Sequence, residues 1–197
     1  MHERAAPARP PNTNCEDESG PVTGWRAGRR ASNISMSTSE EFKREYRDTI
    51  GVFATGVTVV LAVQDGEVRG MTANAVTSVS LEPTLLLFCP AKTASMAELC
   101  EVGRPFTVNI LGDDQEATSN HYAGADMAPS HDFVDWDEAG GVPRIEGCLA
   151  ALACRIWRIY DGGDHWIVVG EVAALYRDPD AGEPLLFYSG AYRSLAD

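Results

Sequence analysis

The run Val57-Thr58-Val59-Val60-Leu61-Ala62-Val63-Gln64-Asp65-Gly66-Glu67-Val68-Arg69-Gly70-Met71-Thr72-Ala73 reads as two strands and the turn between them. Val57 to Val63 is apolar and rich in β-branched side chains, the pattern of a buried strand. Asp65-Gly66 is a hairpin turn signal, and Val68 to Ala73 returns as the partner strand. The chain continues through Asn74-Ala75-Val76-Thr77-Ser78-Val79-Ser80-Leu81, with no charged side chain from Gly70 to Leu81. Such a segment is too polar for a core and too uncharged for ordinary surface. Its small residues let a flat molecule approach the main chain, and hydroxyls beside free amides can hydrogen-bond an anionic or heteroaromatic ligand. It reads as a strand leading into a ligand-binding turn, or more plainly as a Ser/Thr-rich connection between strands.

Upstream, Thr38-Ser39-Glu40-Glu41 fits a capping box, and Phe42, Tyr46, Thr49 and Ile50 recur at the spacing of one buried helical face. Downstream, Thr84 to Phe88 is apolar throughout and Pro90 ends it; Ser95 and Glu98 have capping-box spacing for a short helix reaching Gly103. Phe106 to Leu111 is a further strand, interrupted by the polar Asn109. Asp113 to Glu116 opens a third short helix ending near Gly124. Ala125 to Arg144 is irregular, with Phe133 and Trp136 expected to pack the loop onto the body. Two long strands, Cys148 to Tyr160 and His165 to Arg177, flank Asp161-Gly162-Gly163-Asp164, and Leu185 to Tyr188 is a last strand before a short tail, Ser189 to Arg193. Strands close in sequence and joined mainly by turns predict a mainly β fold. The expected architecture is an antiparallel barrel with a few short flanking helices.

At 197 residues the chain suits one domain and a tail. Residues 1–35 are rich in Pro, Arg, Ala, Asn and Ser, which predicts a disordered tail preceding a folded domain over 36–197; Met36 stands where a natural start would fit. A formal net charge of -13 argues against nucleic acid or anionic membrane as partner, though a local seat for one small anion is compatible with it. No apolar run is long enough to span a bilayer, and no signal core is present. Cys15, Cys89, Cys100, Cys148 and Cys154 are odd in number and scattered, as expected for reduced thiols in a cytoplasmic protein. His2, His121, His131 and His165 have no metal-ligand spacing, so no metal site is expected. Phosphate-loop, dinucleotide-fingerprint, zincin and nucleophile-elbow motifs are all absent.

Two further features point to a ligand. Lys92, with Thr93 and Ser95 at the start of the second helix, could seat a phosphate, or Ser95 could merely cap that helix beside a solvated lysine. His165 stands at the mouth of a glycine-bearing hairpin, where its ring could face a ligand or simply solvent.

The blocks F-A-T-G-V-T-V-V (Phe53 to Val60), G-M-T-A-N-A-V-T-S-V-S-L (Gly70 to Leu81), F-C-P-A-K-T-A-S (Phe88 to Ser95), F-T-V-N-I-L (Phe106 to Leu111), G-G-D-H-W-I-V-V-G-E-V (Gly162 to Val172) and E-P-L-L-F-Y-S-G-A-Y (Glu183 to Tyr192) occur in order. Together they resemble the short-chain flavin reductase family, the reductase components of two-component flavin-dependent monooxygenases. The resemblance runs from about Glu40 to Leu195. It implies an FMN-binding split barrel, a homodimer, reduction of FMN or FAD by NADH or NADPH, and delivery of reduced flavin to a monooxygenase partner. By the same resemblance Thr72, Ala73, Asn74, Ser78 and Val79 line the flavin ring and ribityl chain. Cys89, Lys92, Thr93 and Ser95 lie by the phosphate, and Asn109 belongs to the same pocket. His165 matches a histidine at the nicotinamide side and is the catalytic candidate; Tyr192 lies near that cleft. The chain departs from the pattern at Ala75-Val76, where Ser-Phe is common, and at Ser189-Gly190-Ala191-Tyr192, which lacks the usual arginine. Two other readings stay open: a flavin- or haem-binding module without turnover, and a diverged split barrel with a biosynthetic oxidase activity of its own.

Overall fold

A computed structural model describes residues 39–126 and 131–195. The expectation for the N-terminal tail and for a start at Met36 lies outside the described residues. The described chain opens with helix α1 (Glu40–Ile50). There follow strands β1 (Thr55–Gly56), β2 (Thr58–Gln64), β3 (Glu67–Ala73), β4 (Val76–Leu81), β5 (Thr84–Phe88) and β6 (Pro105–Ile110), then helix α2 (Glu116–Tyr122). The remainder is β7 (Phe133–Val134), β8 (Arg144–Ile145), β9 (Ala150–Gly162), β10 (His165–Arg177), β11 (Leu186–Tyr188) and β12 (Ala191–Arg193).

Seven strands form one antiparallel sheet in the order β3-β2-β6-β9-β10-β5-β4. Its two edge strands, β3 and β4, are consecutive in sequence, with only Asn74 and Ala75 between Ala73 and Val76. Three Cα steps span at most about 11 Å, so the sheet must curl until its opposite edges nearly meet. Thus the segment from Gly70 to Leu81 is the seam of a split barrel. A smaller sheet, β1-β11-β12, and the pair β7-β8 lie outside it.

Alternation along the strands sorts the core into two layers. Val60, Ala62, Phe88, Phe106, Val108, Cys154, Ile156 and Val168 belong to one cluster, joined by Met96 and Leu99. Their neighbours Val59, Leu61, Ala151 and Ala153 belong to the other, with Val57, Leu111, Val142, Ile145, Cys148 and Leu185. Both faces of β2 are therefore buried, which is why its sequence is continuous in apolar residues instead of alternating.

Turn chemistry sets the registers. Asp65 and Gly66 both have positive φ, 53° and 81°, and Gln64 pairs with Glu67, the geometry of a tight two-residue hairpin. The expected tail after Tyr188 is instead a second such hairpin: Ser189 (φ 49°) and Gly190 (φ 77°) turn the chain so that β12 pairs with β11. Gly70 serves a close approach, since a Cβ there would stand 2.6 Å from the Tyr122 ring and 2.7 Å from Leu61 Cδ2.

Three expectations are corrected. Helix α1 forms, with Ser39 capping the Phe42 amide at 3.2 Å, but its apolar face is not buried: Phe42, Tyr46 and Ile50 are 39%, 61% and 52% exposed. The segment after Pro90 is a 3-10 turn over Ser95–Leu99, with Ala94 at its N-cap and no side-chain cap from Ser95. In the irregular stretch, Trp136 packs as expected on the core cluster that holds Val57 and Ile145, whereas Phe133 is half-exposed in β7 and stacks edge-on against His131.

Candidate functional site

The sequence candidates fall into three groups in space. The first is the seam. Ala73 is buried, and its carbonyl accepts the Thr58 hydroxyl at 2.6 Å, which ties the end of β3 to the start of β2. Asn74, Thr77, Ser78 and Val79 are exposed. Strand β4 pairs with β5 on one side and ends the sheet on the other, so its outer edge offers main-chain donors and acceptors. A bulge interrupts its register: Ser78 faces Leu86 and Ser80 faces Leu85, leaving Val79 without a partner. Bulges of this kind re-aim backbone and side chain next to binding sites.

The second group joins the loop after β5 to the turn between β9 and β10. Ala91 and His165 form an isolated antiparallel bridge, the Lys92 amide donates to the Asp164 carbonyl at 2.9 Å, and the Trp166 amide donates to Pro90 O at 2.9 Å. Lys92 Nζ donates to Asp161 Oδ2 at 2.5 Å and lies 4.3 Å from the centroid of the Trp166 ring. His165 Nδ1 is 2.7 Å from Asp164 Oδ1. Hydrogen bonds from Lys92 and from His165 hold the carboxyls of Asp161 and Asp164, respectively, below the usual carboxylate range. Both carboxylates are thus ionised acceptors, which assigns the His165 Nδ1 proton to the bond with Asp164. In the neutral ring Nε2 then carries the free lone pair. The phosphate candidate Lys92 and the nicotinamide candidate His165 are therefore neighbours through backbone pairing. Cys89 is half-buried, with its thiol pKa pushed up by burial, and Thr93 and Ser95 are exposed on the same loop.

The third group starts from the same end of β3, at Thr72, the residue before Ala73. Thr72 Oγ1 donates to the Ser119 carbonyl at 2.5 Å. Tyr192 OH donates to Asn120 Oδ1 at 3.1 Å and, with that proton committed, accepts from Ser119 Oγ at 2.8 Å. One network thereby connects Thr72, α2 and β12.

Asn109 belongs to none of these groups. It is fully buried in β6 between Val59 and Ala151; its Nδ2 donates to Val59 O and Thr107 Oγ1, both at 3.2 Å, and its Oδ1 accepts the Ile145 amide at 2.9 Å. Both polar atoms of that side chain hydrogen-bond within the protein, which gives Asn109 a structural role joining β2, β6 and β8. Sequence reasoning missed Asp161, Trp166, Ser119 and Asn120 as partners of the site. Their contacts to Lys92 and Tyr192 span 69 to 74 residues of chain or depend on a ring face, and no local spacing announces them. Among the described residues, two concavities lie away from these groups, one against Arg44, Asp48 and Val52 of the α1 region and one beside Val102, Trp157 and Tyr160.

An uncharged edge strand with a bulge, one committed lysine and an imidazole with a free lone pair suit a flat neutral heterocycle carrying a phosphate. Among the described residues no cluster of three metal-ligating side chains occurs. Comparison with known proteins agrees with this chemistry. The flavin reductase like domain matches residues 50–196. The chain is 44% identical to an NADH-dependent FAD reductase of Streptomyces globisporus over 77% of its own length and 85% of that protein. It is 36% identical to the reductase subunit HsaB of a flavin-dependent monooxygenase from Rhodococcus jostii, covering 77% of each chain. A solved structure of the Streptomyces globisporus NADH:FAD oxidoreductase SgcE6, in complex with NAD and FAD fragments, superposes with a TM-score of 0.72 at 40% identity, covering 80% of this chain and 95% of that one.

Proposed function

The chain belongs to the flavin reductase-like domain family, and on that basis we propose how its residues serve an NAD(P)H-dependent flavin reductase. The enzyme reduces FMN or FAD with NADH or NADPH, and the reduced flavin serves a separate monooxygenase component. The observation that carries the site assignment is the bulged, uncharged edge of β4 together with a hairpin that holds Lys92 and His165 side by side.

When bound, the flavin supplies a two-electron acceptor ring, and the nicotinamide supplies the hydride. The protein's part is geometric. Edge amides around Val79 donate to the heterocycle where negative charge grows during reduction, and the small side chains of Ala73 and Ala75 leave room for a flat ring. Asn74 and Ser78 offer side-chain hydrogen bonds along the ribityl chain. Lys92 neutralises phosphate, with Thr93 and Ser95 beside it on an exposed loop. His165, its Nδ1 proton given to Asp164, presents Nε2 as an acceptor for the nicotinamide carboxamide and orients the donor without acting as an obligatory acid. Tyr192 is fixed near that cleft by Ser119 and Asn120.

Titration of the purified protein with FMN and FAD, followed by NADH oxidation with each, tests this reading. Saturable flavin binding and flavin-dependent loss of nicotinamide absorbance are expected, with the flavin exchanging on the timescale of turnover. Absence of any affinity for either flavin would remove the assignment; binding without turnover would favour a non-catalytic module.

The protein acts as a homodimer in this reading, and α1 supports it. Phe42, Tyr46, Ile50, Val52 and Phe53 leave an apolar strip 39% to 71% exposed, which water disfavours and a second copy would cover. Light scattering should give twice the chain mass for the wild type and the single-chain mass for a Tyr46→Glu, Ile50→Glu double variant. A double variant that stays dimeric would place the interface elsewhere. The unpaired state of Cys89, Cys100, Cys148 and Cys154 supports a reducing, cytoplasmic compartment, and no described helix is long and apolar enough to cross a membrane.

A further inference from the structure

Lys92 does not stand free to meet a phosphate. Its ammonium is held between Asp161 Oδ2, at 2.5 Å, and the face of Trp166, at 4.3 Å to the ring centroid. Asp161 is itself anchored, because its other oxygen, Oδ1, accepts the Gly163 amide at 3.0 Å inside the hairpin turn. The lysine is fixed at its root by the bond from its amide to the Asp164 carbonyl. Asp164, the second carboxylate of the turn, is committed to His165. An anion reaching Lys92 therefore competes with a tethered carboxylate for the ammonium, which is a different exchange from displacing water alone.

We propose that Asp161 is an internal competitor for the flavin phosphate: it pairs with Lys92 between binding events, the phosphate binds by exchanging with it, and Asp161 thereby weakens the hold on phosphorylated flavin. The inference rests on the reading above that Lys92 lies by the phosphate. Its physical content is a subtraction. The Lys92–phosphate attraction is reduced by the Lys92–Asp161 attraction given up, and by repulsion between the phosphate and a carboxylate that the Gly163 amide holds nearby. Asp161 is 69% exposed in its side chain, so the pair is solvent-screened and the subtraction is modest. A modest reduction suits a carrier that has to depart after each turnover. Were the pair only a clasp closing the hairpin on the loop, its loss would loosen every flavin alike, with or without a phosphate.

The test separates these by ligand. Asp161→Asn keeps a carbonyl oxygen for the Gly163 amide and removes the charge. Fluorescence titration of the full chain with FMN and with riboflavin, at fixed ionic strength, should show FMN binding tightened by roughly three- to fivefold, the scale of one exposed ion pair. Riboflavin affinity should be unchanged, so the FMN-to-riboflavin affinity ratio rises by the same factor. In a Lys92→Ala background the ratio should start lower, and Asp161→Asn should add nothing to it. An FMN-to-riboflavin ratio that is unchanged or falls in Asp161→Asn overturns the competitor role. If Lys92→Ala lowers the ratio while Asp161→Asn fails to raise it, the exchange alone is wrong. If Lys92→Ala leaves the ratio untouched, the placement of the phosphate at Lys92 is wrong and the inference goes with it.

Discussion

Replacement of Asn109 by alanine is expected to lower the unfolding free energy by about 2 to 4 kcal/mol while leaving the flavin affinity of the folded protein unchanged. The size follows from what the side chain holds together. Its amide nitrogen bonds the carbonyl of Val59 on β2 and the hydroxyl of Thr107, and its oxygen takes the amide of Ile145 on β8. Thr107 in turn donates to Pro143 O at 2.9 Å, so the pair pins the 142–148 segment over β6. Truncation leaves the Ile145 amide without its acceptor beside a fully buried side chain, a loss of about 1 to 3 kcal/mol, and the cavity adds to it. Against a domain stability of about 5 to 15 kcal/mol that is a large fraction, equivalent to a fall in Tm of roughly 5 to 15 °C. Thermal and urea unfolding of the two proteins measure it, and flavin titration well below the lower Tm measures the second half of the claim. Unaltered stability combined with lost flavin affinity would place Asn109 in the cofactor pocket.

That residue marks where sequence reading stops. The hairpins were legible because their signals are local: Asp65-Gly66 supplies two positive φ angles, and the flanking side chains announce strands. The closing of the barrel was legible too, through family resemblance, although the physical reason, two edge strands joined by two residues, needs the strand order to be seen. Ser189-Gly190 carried the same kind of signal but bounded strands of three residues each, too short to register. The α1 periodicity revealed an apolar face and could not say what covers it. Capping-box spacing at Ser95 and Glu98 failed because the loop is held from Pro90 and Lys92 by backbone bonds to a distant hairpin, leaving the helix to begin one residue earlier than a Ser95 cap would allow. At Asn109 residue type alone cannot distinguish a polar group aimed at a ligand from one spent inside, since the distinction is made by Val59 and Ile145, 50 and 36 residues away.

Replacement of His165 by alanine is expected to reduce kcat/KM for NADH by roughly tenfold, about 1.4 kcal/mol, with flavin affinity retained. The ring stands beside the phosphate candidate because Ala91 and His165 pair across the loop, and its orientation is fixed by the Nδ1–H bond to Asp164 at 2.7 Å. With that proton committed, Nε2 offers a neutral donor ligand one acceptor in a defined direction. Loss of one such bond to an uncharged group, together with some freedom regained by the nicotinamide, gives the stated magnitude; loss of an obligatory proton donor would cost far more, about a hundredfold or greater. Size therefore discriminates between the roles. Asp164→Asn provides the second reading, because it leaves the imidazole present and removes only the anion that selects its tautomer. If His165 acts by orientation, Asp164→Asn should raise KM for NADH in the same direction as His165→Ala but by less, and neither variant should change the FMN dissociation constant. Steady-state kinetics at saturating flavin, paired with flavin titration, measure both. Unchanged kcat and KM for NADH in His165→Ala would remove the residue from the site. A parallel collapse of flavin binding would mean that the hairpin supports the loop carrying Lys92 and that the imidazole contributes packing alone.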